Sequence, residues 1–256
     1  MLLIIEALLF ISAALGQDHR AAAAEVIYPL DMALNSVDDQ YDGCTDKMAD
    51  LVKNTYLLKE LNNSPVFKTA WQNSAEKFKK FRPKDKLTMN HLIAINVYTR
   101  NEVYGNFNRD GRSGKRNYRD KTYNWYSLNF LLTDAIQILK KTQNTCYDSF
   151  RRTKVKFNED VLNQEVRFGS FVSSSLYNSL QKFGNVSCFK IYTCEGAKVA
   201  KYSNVPDEDE VLIPPYETFK VTDVSTKETN KHILCDTVFT LKTAGRNSTL
   251  NCVLFQ

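Results

Sequence analysis

Two glutamates stand two residues apart in the stretch PDEDEVLIPP, residues 206–215. The acidic run leads into a short apolar segment, residues 211–213, that two prolines end, and this pattern predicts a strand. Side chains alternate between the two faces of a strand, so Glu208 and Glu210 are expected on one face and Asp209 on the other. Two like charges held this close cost free energy, and such pairs occur where carboxylates do chemistry or bind a cation. On this stretch alone, a solvated acidic turn before a core strand is the favoured alternative.

The other residues favour carboxylate chemistry over the commoner kinds of hydrolase. The three histidines, His19, His91 and His232, lie beside a predicted cleavage site, on a predicted helix and in a polar turn. A serine or cysteine hydrolase needs an imidazole beside its nucleophile, and catalytic zinc also needs histidine ligands. Glycosidase carboxylates usually come from separate segments, whereas glutamates two residues apart suit the stabilisation of a sugar cation. NAD carries a sugar bond ready to ionise, and its pyrophosphate requires an arginine.

The elements that would position these residues change character at Cys146. Before it, apolar residues recur with helical spacing, and after it come short runs rich in Val, Ile, Phe, Tyr and Thr, which are typical of strands. This order indicates an α+β fold, with a helical N-terminal half and a strand-rich second half, rather than alternating βαβ units. The predicted helices are residues 45–61, 65–81, 87–98, 126–141 and 176–183, and the predicted strands are residues 148–154, 164–174, 188–194, 198–202, 210–213, 219–224, 233–241 and 250–255.

The basic residues concentrate in one stretch, RDGRSGKRNYRDK at residues 109–121, in a chain of 256 residues with a net charge of +5. Interleaved tyrosines would suit a nucleic-acid surface. A solvated, glycine-containing loop is the favoured interpretation, because the run lacks helical spacing. No nucleic-acid partner is therefore expected. The phosphate-binding patterns GxGxxG and GxxxxGK do not occur in the chain.

The N-terminus and the cysteines indicate an exported protein. Residues 1–16, MLLIIEALLFISAALG, predict a signal peptide cleaved after Gly16, and a membrane anchor is less favoured because the run is short for a bilayer span. The C-terminus lacks a lipid-anchor signal, so a secreted mature chain without a membrane span is expected. Six cysteines with no CxxC pair favour disulfides. Sequons at Asn62, Asn185 and Asn247 predict glycosylation.

Six segments, taken together and in order, carry a family resemblance. They are LDMALNSVDDQYDGC, VYTRNEVYGNFN, YSLNFLLTDAIQIL, VRFGSFVSSSL, FKIYTCEGAKVAKYS and DEDEVLIPPYETF. With them the chain resembles the vertebrate ecto-ADP-ribosyltransferases of the arginine-specific, cholera-toxin-like class. The resemblance implies two packed, mostly antiparallel sheets around an NAD cleft. We expect one catalytic domain, residues 17–256, with a mainly helical portion, 17–145, and a strand-rich portion, 146–256. We also expect a monomer that uses NAD as substrate and needs no metal.

The resemblance also implies a site built from an arginine, a strand serine and a Glu-x-Glu triplet. The triplet ends at Glu210, the serine is Ser173 in the run SSS, and the arginine is Arg151 in SFRRTKVKFN. Arg151 would bind pyrophosphate as a donor fork. Ser173 would orient Glu210, and Glu210 would hold the ribose hydroxyl and stabilise an oxocarbenium-like transition state. Glu208 would bind the incoming arginine and aid its deprotonation.

Several positions near this set stay open at the level of sequence. Arg152 and Phe150 replace the family's glycine and tyrosine. The backbone at position 152 is expected to contact nicotinamide, but the long charged side chain could crowd the pocket. Phe183 is a candidate to stack on nicotinamide, with a core position as the favoured alternative. Arg167 is a second candidate for the pyrophosphate arginine, and a surface ion pair is the alternative role for Arg151.

The function implied by the resemblance is secreted transfer of ADP-ribose from NAD to arginine side chains of protein acceptors, with release of nicotinamide. An NAD glycohydrolase on the same scaffold is one alternative, and a catalytically inactive NAD-binding protein, motivated by Arg152, is another. The resemblance further implies two disulfides, Cys44–Cys252 and Cys146–Cys194. It leaves Cys188 and Cys235 either paired or free.

Overall fold

The first half of the described chain is mainly helical, as the apolar spacing predicts. The computed structural model describes residues 26–83 and 86–256, so the predicted signal peptide, residues 1–16, lies outside the described residues. The helices are α1 (Thr45–Leu51), a π-helical turn (Val52–Tyr56), α2 (Leu57–Asn63), α3 (Pro65–Phe78), α4 (Met89–Tyr98), α5 (Asn101–Ser113), α6 (Lys115–Arg119) and α7 (Tyr126–Gln143). Within the described ranges, no helix is long and apolar enough to cross a membrane.

Local capping explains where several of these helices begin and end. The Ser64 hydroxyl accepts a hydrogen bond from the Phe67 amide and Pro65 occupies the first position of α3, a common helix start. Thr88 and His91 form a reciprocal capping pair at the start of α4. Helix α7 ends at Asn144, whose φ of 44° is left-handed. These short-range signals are part of why the helical half could be predicted from sequence.

The basic stretch 109–121 is helical, so its prediction as a solvated loop is wrong. It forms the end of α5 and all of α6, with Gly114 between them. Val103, Phe107 and Gly111 are buried at four-residue intervals, which places one face of α5 against the core. The dense charge of the stretch lies on the opposite, solvated face. Its helical spacing becomes visible only when the segment is extended back to residue 103.

The strands form two sheets, and most of their pairings are antiparallel, as expected. The strands are β1 (Ile27–Tyr28), β2 (Tyr147–Thr153), β3 (Lys156–Phe157), β4 (Glu165–Val166), β5 (Val172–Ser175), β6 (Ser187–Thr193), β7 (Ala197–Lys198), β8 (Glu210–Ile213), β9 (Glu217–Thr226) and β10 (Thr237–Arg246). β1 pairs with β3, and the larger sheet has the order β4-β9-β10-β6-β2-β5-β8-β7. The α+β prediction is therefore confirmed.

The larger sheet consists of two parts that share a core. β2 and β5 are joined by a single residue pair, Phe150 and Ser175. Val172 of β5 and Ile213 of β8 pack in one cluster with apolar side chains of β6, β9 and β10. Leu212, on the other face of β8, packs instead with the helices. The part β5-β8-β7 therefore lies between the helical layer and the rest of the sheet.

Four predicted elements differ from the structure. Residues 164–174 form two short strands, Glu165–Val166 and Val172–Ser175, rather than one, because they pair with different strands, β9 and β8. Residues 250–255 form a turn and a short 3₁₀ segment, Val253–Phe255, rather than a strand. Cys252 has a left-handed φ of 55° and is tied to Cys44, a constraint that strand propensity does not report. In residues 198–202 only Lys198 is in a strand, because the Tyr202 and Ser203 amides turn back to the Val199 carbonyl. In residues 176–183 only a 3₁₀ turn, Gln181–Phe183, forms.

All six cysteines are paired in the structure. The bonds Cys44–Cys252 and Cys146–Cys194 are those that the family resemblance implies. The third bond, Cys188–Cys235, answers the question that the sequence left open. Three disulfides are typical of proteins that mature in an oxidising compartment.

Candidate active site

The register of two strands brings Ser173 and Glu210 onto one face of the sheet. β5 and β8 pair so that Ser173 lies opposite Leu212 and Ser175 lies opposite Glu210. Side chains two residues apart share a face, which makes Ser173 and Glu210 diagonal neighbours. The Ser173 side chain hydrogen bonds to the Glu210 carboxylate. The Ser203 hydroxyl donates a second hydrogen bond, 3.3 Å from Glu210 Oε2.

Glu210 is a buried carboxyl group whose proton affinity is raised. Its side chain is almost fully covered, with 3% of the residue exposed. The pKa of Glu210 is raised from 4.5 to about 7, chiefly by burial and to a lesser extent by the nearby charge of Glu208. The hydrogen bonds from Ser173 and Ser203 and the charge of Arg151 act in the opposite direction and lower that pKa. The carboxyl group therefore changes charge near neutral pH, where a small change in its surroundings decides its state.

Glu208 reaches this site by a route that differs from the predicted strand alternation. Residues Pro206–Glu208 form a 3₁₀ turn, and Asp209 has a left-handed φ of 45°, so the strand begins only at Glu210. The prediction that all three acidic residues lie in a strand is therefore wrong. Ser175 supports the turn, because its hydroxyl donates to the Glu208 carbonyl at 2.6 Å. Asp209 pairs with Lys198 at 2.6 Å.

Arg151 approaches the same site from the neighbouring strand. Its Nη1 donates to the Ser173 carbonyl at 2.8 Å, and its Nη2 donates to the Tyr104 hydroxyl at 3.2 Å. Both partners are neutral, so these contacts differ from the surface ion pair considered as an alternative. The positive charge of Arg151 lowers the pKa of the nearby Glu210 carboxyl. Tyr104 on α5 and Ser203 were not selected as site residues from sequence, although both lie within the segments that carry the family resemblance.

Arg152 points to the opposite face of β2 from Arg151. Its Nε and Nη2 donate to the Asn178 carbonyl at 3.1 and 2.9 Å, and its Nη1 lies 3.4 Å from Cys235 Sγ. The residue is buried, with 8% exposed. The long side chain is thus engaged with the segment after β5 and with the Cys188–Cys235 bond.

Phe183 is exposed, so its interpretation as a core residue is wrong. The residue is 42% exposed and lies at the end of the 3₁₀ turn before β6. The ammonium of Lys182 lies 4.9 Å from the centre of its ring. Gly184 returns the chain to β2 with a φ of 120°, and a Cβ there would lie 2.4 Å from the Thr153 carbonyl oxygen. Glycine is therefore required where this segment meets β2.

Arg167, the second candidate arginine, is part of the protein interior. Its guanidinium lies 2.5 Å from the Asp38 carboxylate, and both side chains are fully buried. It also donates to the carbonyls of Met32 and Asn247 at 2.8 and 2.7 Å. Asp38 accepts further hydrogen bonds from the Thr249 amide. These contacts assign Arg167 to the joining of the N- and C-terminal segments.

The histidines and acidic groups offer no alternative centre within residues 26–83 and 86–256. His91 pairs with Asp134 at 3.1 Å in the helical core, and its Nδ1 accepts from the Thr88 amide. His232 is exposed in a turn, and His19 lies outside the described residues. Over the described ranges, no group of three or more His, Cys, Asp or Glu side chains is placed to hold a metal.

Comparisons with known proteins show which family this chain resembles. Residues 30–243 match the family model for NAD:arginine ADP-ribosyltransferase. The chain is 32% identical over 259 residues to NAD(P)(+)–arginine ADP-ribosyltransferase 1 of Gallus gallus, covering 97% of this chain and 80% of that protein. It is 35% identical over 240 residues to ecto-ADP-ribosyltransferase 4 of Homo sapiens, covering 88% of this chain and 73% of that protein.

A solved structure agrees with these sequence matches. The eucaryotic mono-ADP-ribosyltransferase ART2.2 superposes with a TM-score of 0.76 at 30% identity, covering 90% of this chain and all of that one. Variants of that enzyme have been solved in complex with NAD and with NADH. From the extent of these matches, the chain belongs to the NAD:arginine ADP-ribosyltransferase family.

Proposed function

We propose that this protein transfers ADP-ribose from NAD to arginine side chains of proteins and releases nicotinamide. The observation that carries the proposal is the convergence of Arg151 and Ser173 on the buried Glu210, with the partly exposed Glu208 at the next turn. This set combines a cation for phosphate, a carboxylate for developing positive charge and a second carboxylate for a cationic acceptor. The similarity to NAD(P)(+)–arginine ADP-ribosyltransferases 1 and 2 of Gallus gallus supports it.

Arg151 is the group we assign to the pyrophosphate of NAD. Its two terminal nitrogens each use one hydrogen bond within the protein, to Ser173 and Tyr104. A guanidinium has five N–H donors, so others remain for phosphate oxygens. The two internal bonds hold the guanidinium plane in place before substrate arrives, which lowers the entropic cost of binding. Phe183 is exposed beside Lys182, whose ammonium contacts Glu208, and it is the aromatic group that we assign to the nicotinamide ring.

Glu210 acts on the sugar as its bond to nicotinamide breaks. Positive charge develops on the ribose, and a carboxylate in a buried setting stabilises this charge more than one in water would. Ser173 and Ser203 fix the orientation of the carboxylate, so little reorganisation is needed in the transition state. Only the ionised form of Glu210 can supply this stabilisation.

Glu208 is the group we assign to the acceptor. Its side chain is 19% exposed, so an arginine from another protein can reach it. A carboxylate accepts a guanidinium through two parallel hydrogen bonds. Glu208 would take one proton from the guanidinium while the freed nitrogen forms its bond to the anomeric carbon, and nicotinamide leaves with the electron pair of the broken bond.

The proposal is tested by incubating the purified protein with NAD and agmatine and measuring nicotinamide and ADP-ribosyl-agmatine. Glu210→Gln should lower the rate of formation of both products by about a hundredfold or more, because the amide lacks the negative charge that stabilises the transition state. Glu208→Gln should lose the agmatine adduct but keep nicotinamide release through attack by water. Glu228→Gln, an exposed glutamate in the β9–β10 turn, is the matched control and should behave as wild type.

Two outcomes would favour the alternatives. Nicotinamide release by the wild type without any agmatine adduct would indicate an NAD glycohydrolase. Calorimetric binding of NAD without nicotinamide release would indicate an inactive NAD-binding protein.

We further propose that the chain acts outside the cell as a monomeric, glycosylated domain of residues 17–256. Three disulfides and the exposure of Asn62, Asn185 and Asn247 support passage through the secretory pathway. The test is expression in a secreting cell line and recovery of the protein from the medium. Glycosidase treatment, light scattering and N-terminal sequencing of that protein measure its glycosylation, its oligomeric state and its first residue. Retention at the cell surface would contradict secretion.

A further inference from the structure

The segment between β5 and β6 forms a loop, residues 176–184, that is held against the Glu208 turn at its base and its tip. At its base, the Leu176 amide donates to the Asp209 carbonyl at 3.2 Å. The Ser175 hydroxyl links the two segments again, since it accepts from the Tyr177 amide and donates to the Glu208 carbonyl. Buried Arg152 holds the outer side of the loop through Asn178. The loop therefore has a defined position relative to Glu208.

At its tip, this loop places a lysine on the carboxylate of Glu208. Lys182 Nζ lies 2.6 Å from Glu208 Oε1, and the two side chains are 58% and 19% exposed. The ammonium also lies over the ring of Phe183. A positively charged group of the protein itself thus occupies the carboxylate that we assign to the acceptor.

We propose that Lys182 competes with the acceptor for Glu208 and thereby sets the balance between transfer to arginine and hydrolysis of NAD, an inference that rests on the proposed function. An arginine from another protein must displace the ammonium of Lys182 before its guanidinium can bind Glu208. Displacement is feasible because the Lys182 side chain is more than half exposed, so water can solvate the released ammonium. An intramolecular competitor raises the apparent KM of every acceptor that needs Glu208, by the same factor.

The competition has a consequence for the balance of products. Water can attack the NAD sugar without a guanidinium bound to Glu208, so hydrolysis of NAD does not require Lys182 to leave that carboxylate. Lys182 therefore sets the acceptor concentration at which transfer to arginine overtakes hydrolysis of NAD. At a given acceptor concentration, a smaller share of the NAD consumed therefore ends on arginine than it would without this contact.

The kinetic test compares Lys182→Gln with wild type, using agmatine and an arginine-containing peptide as acceptors. The KM for each acceptor should fall by about two- to fivefold, the range expected for a part-exposed ion pair. The KM for NAD and nicotinamide release without acceptor should change by less than this. Lys182→Arg keeps the ion pair and should give an acceptor KM at least as high as that of wild type. Lys227→Gln removes another exposed pair, 2.6 Å from Asp236, and should have no effect.

A binding measurement separates this inference from the proposed function. In a Glu210→Gln background, where turnover is slow, the Kd of agmatine by calorimetry in the presence of NAD should fall by the same factor when Lys182→Gln is added. An unchanged acceptor KM and Kd would overturn the role of Lys182, as would an equal change in the KM for NAD, which would indicate a purely structural role for the loop. Absence of any agmatine adduct from wild type would refute the proposed function, while the Kd comparison would still decide the competition.

Discussion

At the scale of single residues, the environment of Glu210 decides what the site can do. Burial favours the neutral acid, while Ser173, Ser203 and Arg151 favour the carboxylate, and the balance places the pKa at about 7. The folded state therefore holds this proton more tightly than an unfolded chain does. The corresponding contribution to stability is present at pH 4.5 and below and is lost as the pH rises through 7.

This balance predicts a pH dependence of the reaction. Because the ionised form is the active one, kcat/KM for NAD should fall by about tenfold per pH unit below pH 7 and level off above it. Steady-state nicotinamide release between pH 5 and 9 measures the profile. Ser203→Ala removes a hydrogen bond to the ionised form and should move the limb to higher pH. A limb near pH 4.5 in the wild type would contradict a raised pKa for Glu210.

At the scale of elements, strand alternation gives two adjacent arginines separate surroundings. Arg151 faces Ser173 and Tyr104, whereas Arg152 faces Asn178 and the Cys188–Cys235 bond. In the family pattern the second position is glycine. Here the guanidinium of Arg152 fills that side of β2 and connects it to the 176–184 loop, which carries Lys182 and Phe183.

This connection predicts that Arg152 supports NAD binding without contacting the reacting atoms. Arg152→Met should raise the KM for NAD severalfold, because the loop that carries Phe183 loses its anchor. It should also lower the free energy of unfolding by about 1.5–3 kcal/mol, the range for a hydrogen bond to a charged group. Arg152→Lys can still donate to the Asn178 carbonyl and should recover part of both effects. Kinetics and urea unfolding of the three proteins provide the measurements.

A stability loss without any change in the KM for NAD would contradict the positioning role. It would limit Arg152 to packing against the Cys188–Cys235 bond.

At the scale of the whole molecule, segments near the two ends of the described chain are fastened to each other. Cys44 and Cys252 are bonded across 208 positions of sequence. Asp38 accepts from Arg167 and from the Thr249 and Leu250 amides in the same region. The disulfide and the Asp38 bonds to Thr249 and Leu250 span more than 200 positions, and the Asp38–Arg167 pair spans 129, so these contacts join both halves of the chain.

We expect the Cys44→Ser, Cys252→Ser double variant to unfold more easily while keeping its kinetics at temperatures where it is folded. Loss of a disulfide that closes a long loop costs about 2–5 kcal/mol. The Cys146–Cys194 bond closes a shorter loop, of 48 positions. By the chain-entropy estimate, the Cys146→Ser, Cys194→Ser double variant should therefore lose about 1 kcal/mol less of its free energy of unfolding than the first variant. Denaturant unfolding compares the two. An unchanged unfolding midpoint for the first variant would show that the hydrogen bonds of Asp38 suffice to join the ends.

Sequence alone was sufficient for features that are encoded over short distances. Helical spacing predicted α3, α4 and α7, and runs of β-branched and aromatic residues predicted most of the longer strands. The acidic triplet and the arginine and serine segments were recognisable because each is a short motif. The α5–α6 region was missed because dense charge obscured buried positions four residues apart, and residues 250–255 were assigned to a strand because their disulfide partner lies 208 positions away.

The tertiary structure decided how the chemical groups meet. Tyr104, Arg151, Ser173, Ser203 and Glu210 come from five separate segments, and no local pattern specifies their distances. The turn at Pro206–Glu208, the position of Lys182 on Glu208 and the direction of Arg152 depend on contacts between those segments. Proton affinity depends on them too, because a carboxyl group acquires a pKa of about 7 only when packing removes its water and places specific donors and charges around it.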